Sequence, residues 1–315
     1  MTKLTSPLVF ISLLFSAHAS PVPNPRLSYA TYLSTGPNSL LRGLAVDASG
    51  NAYVAGVGPG VKGDCVFLSK LGPSGKDLAW LTCLSLSEIG AAAIDSSGFL
   101  VVIGRTSPPS PAPVVVRMSS DGGLLNMTTI QGAFSITKLV LDSSGNAYVS
   151  GQTASAFQPT AGAYSAASSR SFVAKLDPNG NLVYTASLDM SVGGIATDSH
   201  GRVWIAGSTC PADKGCPARR GASAAIQELD AAGKNLLASM AFEGGAGTNA
   251  TLANFATAIA AAPDASLWVA GYDQAGSVPN SQNAIAVQGA GPFPGFVSRF
   301  HLRAYSNMAV ISASP

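Results

Sequence analysis

The stretch LVLDSSGNAYVSGQT, residues 139–153, reads as a short apolar strand, a tight turn built on Asp142 and Gly145, and a second apolar strand. An aspartate followed by two small residues and a glycine suits a hairpin, because the carboxylate accepts backbone N–H groups and the glycine adopts a positive φ. The chain of 315 residues contains this phrase in five versions. The copies are GLAVDASGNAYVAG (43–56), AAAIDSSGFLVVIG (91–104), KLVLDSSGNAYVSG (138–151), GIATDSHGRVWIAG (194–207) and AIAAAPDASLWVAG (258–271).

Each copy is followed by a second phrase, such as FVAKLDPNG (172–180), and in most repeats by a further apolar segment, such as LVYTASL (182–188). A repeat therefore reads as four antiparallel strands joined by turns. A lone four-stranded sheet that is apolar on both faces is insoluble, so each sheet must stack on its neighbours. The sequence thus predicts an all-β fold, a β-propeller of five four-stranded antiparallel blades. The repeats lie near 38–84, 85–130, 132–188, 190–242 and 254–311.

The ring of blades needs a closing strand. The segment LSYATYL (27–33), ahead of the first repeat, shares a leucine, an aromatic residue and a threonine with the fourth-strand segment LAWLTCL (78–84). The fifth repeat has no clear fourth strand after Phe300. We therefore expect the N-terminal strand to complete the last blade and close the ring. Six blades are the alternative, if a degenerate unit lies within 236–257.

The N-terminus has the pattern of an export signal. Lys3 precedes the apolar run PLVFISLLF (7–15), and AHA (17–19) has the small-x-small pattern of a cleavage site. We expect a signal peptide at 1–19, a single mature domain at 20–315, and a periplasmic, extracellular or cell-surface location. No stretch approaches the roughly 20 apolar residues of a membrane helix, so no transmembrane segment is expected.

The charge balance argues against a nucleic-acid partner. The full chain has a formal net charge of +2, and removing residues 1–19 takes away Lys3, which leaves 17 basic and 16 acidic side chains. A nearly neutral protein has no electrostatic hold on phosphate backbones. We expect a monomer whose partner is a protein or a glycan.

Export changes how the four cysteines are interpreted, because thiols in an oxidising compartment usually form disulfides. Cys65 and Cys83 are placed symmetrically about Ser74 in the turn GPSG (72–75), so they should face each other on neighbouring strands. Cys210 and Cys216 close a small loop and form the second expected pair. A zinc site is the alternative, but the spacing has no C-x-x-C motif.

Residues 145–180 carry a resemblance to a known family. The phrases GNAYVSGQT (145–153), FQPTAGAY (157–164) and SFVAKLDPNG (171–180) resemble the bacterial β-propeller repeats known as SBBP and, more distantly, NHL repeats. The resemblance covers most of the mature chain and implies a propeller in an extracytoplasmic setting. It implies no catalytic residues, because the positions that the family shares are turn and core positions.

The repeated acids are interpreted as structural. A ring of calcium-binding carboxylates is the alternative, but one acid per blade leaves the acids too far apart to share an ion, so we expect no metal. The turn residues in question are Asp47, Asp95, Asp142 and Asp198. The sequence also has no G-x-S-x-G, H-E-x-x-H or P-loop motif, so we expect no catalytic residues and no cofactor.

Loop length points to a binding face. The turns within strand pairs are uniformly short, whereas the connections at the other end of the blades include long segments. Binding residues concentrate in loops on a rigid scaffold, so we expect a non-enzymatic binding module that uses this long-loop face. The long segments are 152–171, 208–223, 243–254 and 272–295. The candidate ligand-binding residues on them are Tyr164, Arg170, Arg219, Arg220, Tyr272, Asp273 and Phe293. The alternative is an extracytoplasmic polysaccharide hydrolase or lyase with its site at the mouth of the central channel.

Overall fold

A computed structural model describes residues 27–33, 36–60, 63–209, 222–242, 254–274 and 295–301. These residues form antiparallel strands and turns, with no helix among them. The chain has two compact units, Met1–Ala30 and Thr31–Pro315, and the strands belong to the second. The predicted signal peptide (1–19) and the Cys210–Cys216 pair lie outside the described residues.

The strands form five sheets, which we call blades 1 to 5, each with its strands in chain order. Blade 1 contains β1 (Leu40–Val46), β2 (Ala52–Gly60), β3 (Gly63–Leu71) and β4 (Leu78–Leu84). Blade 2 contains β5 (Leu86–Ile94), β6 (Leu100–Thr106), β7 (Pro113–Met118) and β8 (Leu124–Thr129). Blade 3 contains β9 (Ala133–Leu141), β10 (Ala147–Thr153), β11 (Ser171–Leu176) and β12 (Leu182–Leu188). Blade 4 contains β13 (Ser191–Thr197), β14 (Val203–Thr209), β15 (Ser223–Leu229) and β16 (Leu236–Phe242), and blade 5 contains β17 (Asn254–Ala261), β18 (Ser266–Asp273) and β19 (Gly295–His301).

Consecutive blades pack face to face, which confirms the predicted all-β propeller with five blades. The innermost strands make contact in series, from β1 to β5, β9, β13 and β17. Apolar side chains fill the seams between the sheets: Tyr53 of blade 1, for example, packs in one cluster with Val102 and Val116 of blade 2. Burial of both faces explains why the strands are apolar along their length.

The predicted closing strand is not present among the described residues. Residues 27–33 have no regular secondary structure, and blade 5 has three strands among the described residues. Leu27 is 82% exposed and Tyr32 is fully exposed, so this segment buries too little apolar surface to be held as an edge strand. Within the described part of the chain, no extensive strand contact joins β17 to β1.

The glycine that ends each repeat phrase is required by a bulge in the neighbouring inner strand. The pairing of β9 with β10 shifts register at Gly151, and a Cβ atom there would overlap the carbonyl oxygen of Ser135. In blade 4 the inner strand shifts between Val192 and Gly194, and a Cβ atom at Gly207 would overlap the carbonyl of Ser191. The bulge brings the two backbones too close for any side chain.

The outer strands are fastened to the next blade. Trp80 of β4 donates its indole N–H to the carbonyl of Ser120 at 3.0 Å, and the Thr82 hydroxyl donates to Gly122 at 3.0 Å. In blade 2 the hydroxyl of Thr128 donates to the carbonyl of Gly180 at 2.6 Å. Hydrogen bonds therefore reinforce the apolar packing between blades 1 and 2 and between blades 2 and 3.

Cys65 and Cys83 form the predicted disulfide between β3 and β4, with their Cα atoms 5.8 Å apart. The expected register is wrong, however. Cys83 lies opposite Phe67, two residues from Cys65, because the hairpin is centred between Ser74 and Gly75 and the pairing shifts by one more residue between Lys70 and Leu71. The turn therefore holds one more residue on one strand than a symmetric hairpin would, and the disulfide joins residues that are diagonal rather than directly opposite.

Candidate functional site

The Asp-x-x-Gly turns lie together on one end of the blades, which we call the short-turn face. In blade 1, Asp47 Oδ1 accepts the backbone N–H groups of Ser49 and Asn51, both at 2.9 Å. Asp47 Oδ2 accepts the side-chain amide of Asn51 at 2.8 Å and the hydroxyl of Tyr53 at 3.3 Å. Asp142 in blade 3 makes the same four bonds. Both carboxylates are fully engaged in their own turn.

These hydrogen bonds stabilise the ionised form of the acids. The pKa of Asp47 is lowered chiefly by the Asn51 side-chain hydrogen bond, with backbone bonds adding to it against partial desolvation. For Asp198 in blade 4, burial acts to raise the pKa, but hydrogen bonds from Trp204 and the backbone, together with Arg202, produce a net lowering. Within the described residues, no group of three His, Cys, Asp or Glu side chains is placed to hold a metal ion.

The seam between blades 1 and 2 is filled by aromatic side chains. Tyr53 is fully buried, and its hydroxyl reaches Gly98 of blade 2: a Cβ atom added at Gly98 would lie 3.8 Å from the hydroxyl oxygen. Lys70, directly opposite Tyr53 on β3, places its ammonium 5.0 Å from the centre of the Tyr53 ring. Trp80 packs edge-on against the same ring, with the centroids 6.1 Å apart. This seam is a packed interface.

The seam between blades 2 and 3 is built differently. Val101 stands where blades 1 and 3 have tyrosine, and Phe99 stands where they have asparagine, so neither side chain can donate to Asp95. The donor is Arg117, directly opposite Val101 on β7, which forms an ion pair with Asp95. Arg117 Nη1 also donates to the carbonyl of Gly145 in blade 3 at 3.1 Å. The guanidinium thereby replaces the tyrosine as the link to the next blade.

A cavity of about 470 Å³ remains in this seam on the short-turn face. We call it the blade 2–3 groove. Arg117 and Asp95, which are 5% and 8% exposed, lie at its buried end. Its lining residues come from three turns and from β7 and β8 and comprise Asp95, Ser96, Ser97, Phe99, Arg117, Leu125, Ser143, Ser144, Gly145, Pro178 and Asn179. The volume is within the usual range for small-ligand pockets, about 300–1,000 Å³.

Blade 4 shows a third arrangement of the same positions. Arg202 replaces asparagine, and Glu228, opposite Trp204 on β15, replaces the basic residue. Arg202 donates to Asp198 through Nε at 2.7 Å and pairs with Glu228 through Nη1 at 2.7 Å. Burial raises the pKa of Glu228, although the Arg202 guanidinium opposes the shift. Blade 4 therefore sets two carboxylates against one guanidinium, whereas Asp95 and Arg117 in blade 2 form a one-to-one pair.

The long-loop face is the other end of the blades. Arg170, one of its predicted binding residues, has an exposed side chain, and its backbone N–H donates to the carbonyl of Leu188 at 2.9 Å. Tyr164 is half-buried between blades 3 and 4: its carbonyl accepts the N–H of Ser187 at 3.1 Å, and its own N–H donates to the carbonyl of Gly233 at 2.8 Å. The segment 154–170 therefore runs along the outer edge of blade 3, next to β12.

The remaining predicted binding residues are distributed between two settings. Tyr272 stacks on Phe255 with ring centroids 5.2 Å apart, and Asp273 is 6% exposed at the end of β18, paired with Asn254. Both lie within the sheet of blade 5 rather than on an open surface. The other three, Arg219, Arg220 and Phe293, lie outside the described residues.

The central channel holds a smaller cavity of about 270 Å³. It is lined by inner-strand residues of four blades, mostly small or aliphatic, with Lys138 as the charged group among its described lining residues. The described lining residues thus present neither a carboxylate nor an imidazole for acid–base chemistry. Within the described residues, the chain also contains no helix with the length and apolar composition of a membrane span.

Sequence reasoning missed the blade 2–3 groove, although its signal is readable. The groove forms where the repeat is broken: at Val101 instead of tyrosine, and at Asn126 instead of the aromatic residues Trp80 and Tyr184 of the neighbouring outer strands. An alignment of the repeats therefore shows that two aromatic side chains are missing from this one seam.

Comparisons with known proteins concern the fold. No protein-family model matches the sequence, and no curated protein matches it. The chain is similar to a solved protein of unknown function from Bacteroides caccae, with 14% identity, 76% of this chain and 73% of that chain covered, and a TM-score of 0.43. A protein from Lactobacillus plantarum is 12% identical over 76% of this chain and 68% of that chain, with a TM-score of 0.48. The β-propeller domain of the Trilobed protease from Pyrococcus furiosus is 7% identical over 75% of this chain and 64% of that chain, with a TM-score of 0.46.

Proposed function

We propose that the protein is an exported, non-enzymatic β-propeller that binds a protein or a glycan through its long-loop face. The observation that carries this proposal is the difference between the two ends of the blades. One end has short turns whose acids are hydrogen-bonded within the turn, whereas the other has connections that differ in length from blade to blade. Variable loops on a rigid scaffold are typical of binding proteins.

Two further observations support the proposal. The Cys65–Cys83 disulfide is typical of proteins from oxidising compartments, which agrees with the predicted export signal. The turn carboxylates that could serve as catalytic acids are committed to backbone N–H groups, as Asp47 and Asp142 illustrate. A scaffold whose acids stabilise turns is suited to binding.

The test is replacement of residues 276–292 by a glycine–serine segment of equal length. Partner capture from the cell envelope, measured by crosslinking and mass spectrometry, should be lost, because the longest connection of the long-loop face is removed. Ser49→Arg, on the short-turn face, is the matched control and should capture as the wild type does. An unchanged circular dichroism spectrum would show that the replacement leaves the blades folded. Unaltered capture by the replacement variant would contradict the proposal.

A further inference from the structure

We propose that the blade 2–3 groove is a binding site for a neutral oligosaccharide, on the face opposite to the one proposed above. The inference goes beyond the proposed function and does not depend on it. It starts from the position of the cavity. Of the seams described here, the cavity lies in the one where both aromatic side chains of the repeat, at positions 101 and 126, have been replaced by smaller residues.

The buried end of the groove is rigid and electrically neutral. Arg117 and Asp95 neutralise each other, and both are more than nine-tenths buried. Arg117 is further held by the carbonyl of Gly145, and its guanidinium lies 5.3 Å from the centre of the Phe99 ring. A paired, desolvated guanidinium leaves no free positive charge for a phosphate or a carboxylate. The groove therefore does not favour an anionic ligand.

The rim of the groove offers uncharged hydrogen-bonding groups. Its polar side chains are Ser96, Ser97, Ser143, Ser144 and Asn179, all exposed. Within the described part of the chain, their hydroxyl and amide groups make no hydrogen bond to protein. Hydroxyls both donate and accept, and the asparagine amide does the same with two separate atoms. Such a rim matches a ligand that carries many hydroxyl groups.

Apolar side chains complete the site. Phe99 is half-buried, whereas Leu125 and Pro178 are exposed on the blade 2 and blade 3 sides of the groove. A pyranose ring has C–H faces that pack on such surfaces and hydroxyls at its edge that reach the serines. Rigid apolar walls with convergent neutral polar groups are the usual composition of a small-ligand site. Together, the neutral floor, the hydroxyl-rich rim and the apolar walls indicate a carbohydrate.

The experiment titrates the full mature protein with cellohexaose, maltohexaose, chitohexaose and mannohexaose by calorimetry, with oligogalacturonate and a glycine–serine peptide as probes of other classes. At least one neutral hexasaccharide should bind. Ser97→Trp, which blocks the groove, should weaken that binding by about tenfold or more. Ser49→Trp is the matched control, because Ser49 has the same turn position in blade 1, where the seam is filled, and it should bind as the wild type does.

Several results would overturn the inference: no binding of any neutral hexasaccharide, equal weakening by both tryptophan variants, no weakening by Ser97→Trp, or preferential binding of oligogalacturonate or the peptide. Since both substitutions keep the backbone N–H bond to the turn aspartate, the fold should tolerate them. Replacement of residues 276–292 should leave oligosaccharide binding unchanged. The proposal for the groove and the proposal for the long-loop face can thus be refuted independently.

Discussion

The seams on either side of blade 2 use the same repeat positions in opposite ways. Between blades 1 and 2, Tyr53 and Trp80 fill the space and Lys70 covers the tyrosine ring. Between blades 2 and 3, valine replaces the tyrosine, and Arg117, which is paired with Asp95 of its own blade, donates across the seam to the carbonyl of Gly145. The difference teaches that the polar link across a propeller seam can be replaced: a buried arginine can take the place of the aromatic side chains, and a cavity then remains beside it.

The largest expected effect comes from breaking the ion-paired seam. Arg117→Met leaves the Asp95 carboxylate buried without its cation, and such a loss costs about 4 kcal/mol of unfolding free energy. Lys70→Met, the matched change in the aromatic seam, removes a cation–π contact and should cost about 1 kcal/mol or less. Urea unfolding followed by tryptophan fluorescence measures both values. Equal costs would show that the two seams are held in the same way.

A slightly smaller effect is expected from converting the first seam into the second. Tyr53→Val deletes a fully buried ring and should destabilise the protein by about 3 kcal/mol, since the seam cannot collapse completely. Adding Lys70→Arg supplies the guanidinium that faces valine in blade 2 and should recover about 1 kcal/mol. A double-mutant cycle gives the coupling between the two positions. Additive effects would mean that the arginine does not substitute for the tyrosine.

The smallest effect concerns the acid of the aromatic seam. Because the folded-state pKa of Asp47 is lowered, this group contributes stability that is present above its ordinary pKa and is lost as pH falls through the folded value. The difference in unfolding free energy between the wild type and Asp47→Asn should therefore be largest near about pH 6 and shrink below about pH 4. Unfolding titrations across this range measure it. A difference that stays constant with pH would contradict the role of the ionised carboxylate.

The sequence predicts the architecture well, because the repeat phrase occurs in five copies. The phrase around Asp142 gives the strand pair and the turn, and the spacing of the copies gives the number of blades. The register at Cys83 is not predictable in this way, since it depends on a shift next to Leu71 that no residue type announces. The closing strand at 27–33 was expected from a likeness to β4, but likeness in sequence does not ensure that enough surface is buried.

The candidate sites were harder to predict for a physical reason. Tyr164 was assigned to the long-loop face from its place in a long connection, yet the connection crosses the outer edge of blade 3 to reach Gly233. The blade 2–3 groove depends on side chains that are missing, Val101 and Asn126 being smaller than their counterparts. Smaller side chains at these positions produce a cavity only because the neighbouring blade packs against them, and a linear sequence does not show that packing.

The hydrogen bonds between an outer strand and the following blade have donors that precede their acceptors along the chain. Trp80 and Thr82 of blade 1 donate to the turn at Ser120–Gly122, and Thr128 of blade 2 donates to Gly180, so these bonds need residues that are synthesised later. As the chain leaves a ribosome or a translocation pore from its N-terminus, a blade is secured only when its successor has emerged. Truncation from the C-terminal side would therefore remove the hydrogen-bond acceptors of the last outer strand that remains, as loss of Ser120 and Gly122 would for Trp80 and Thr82.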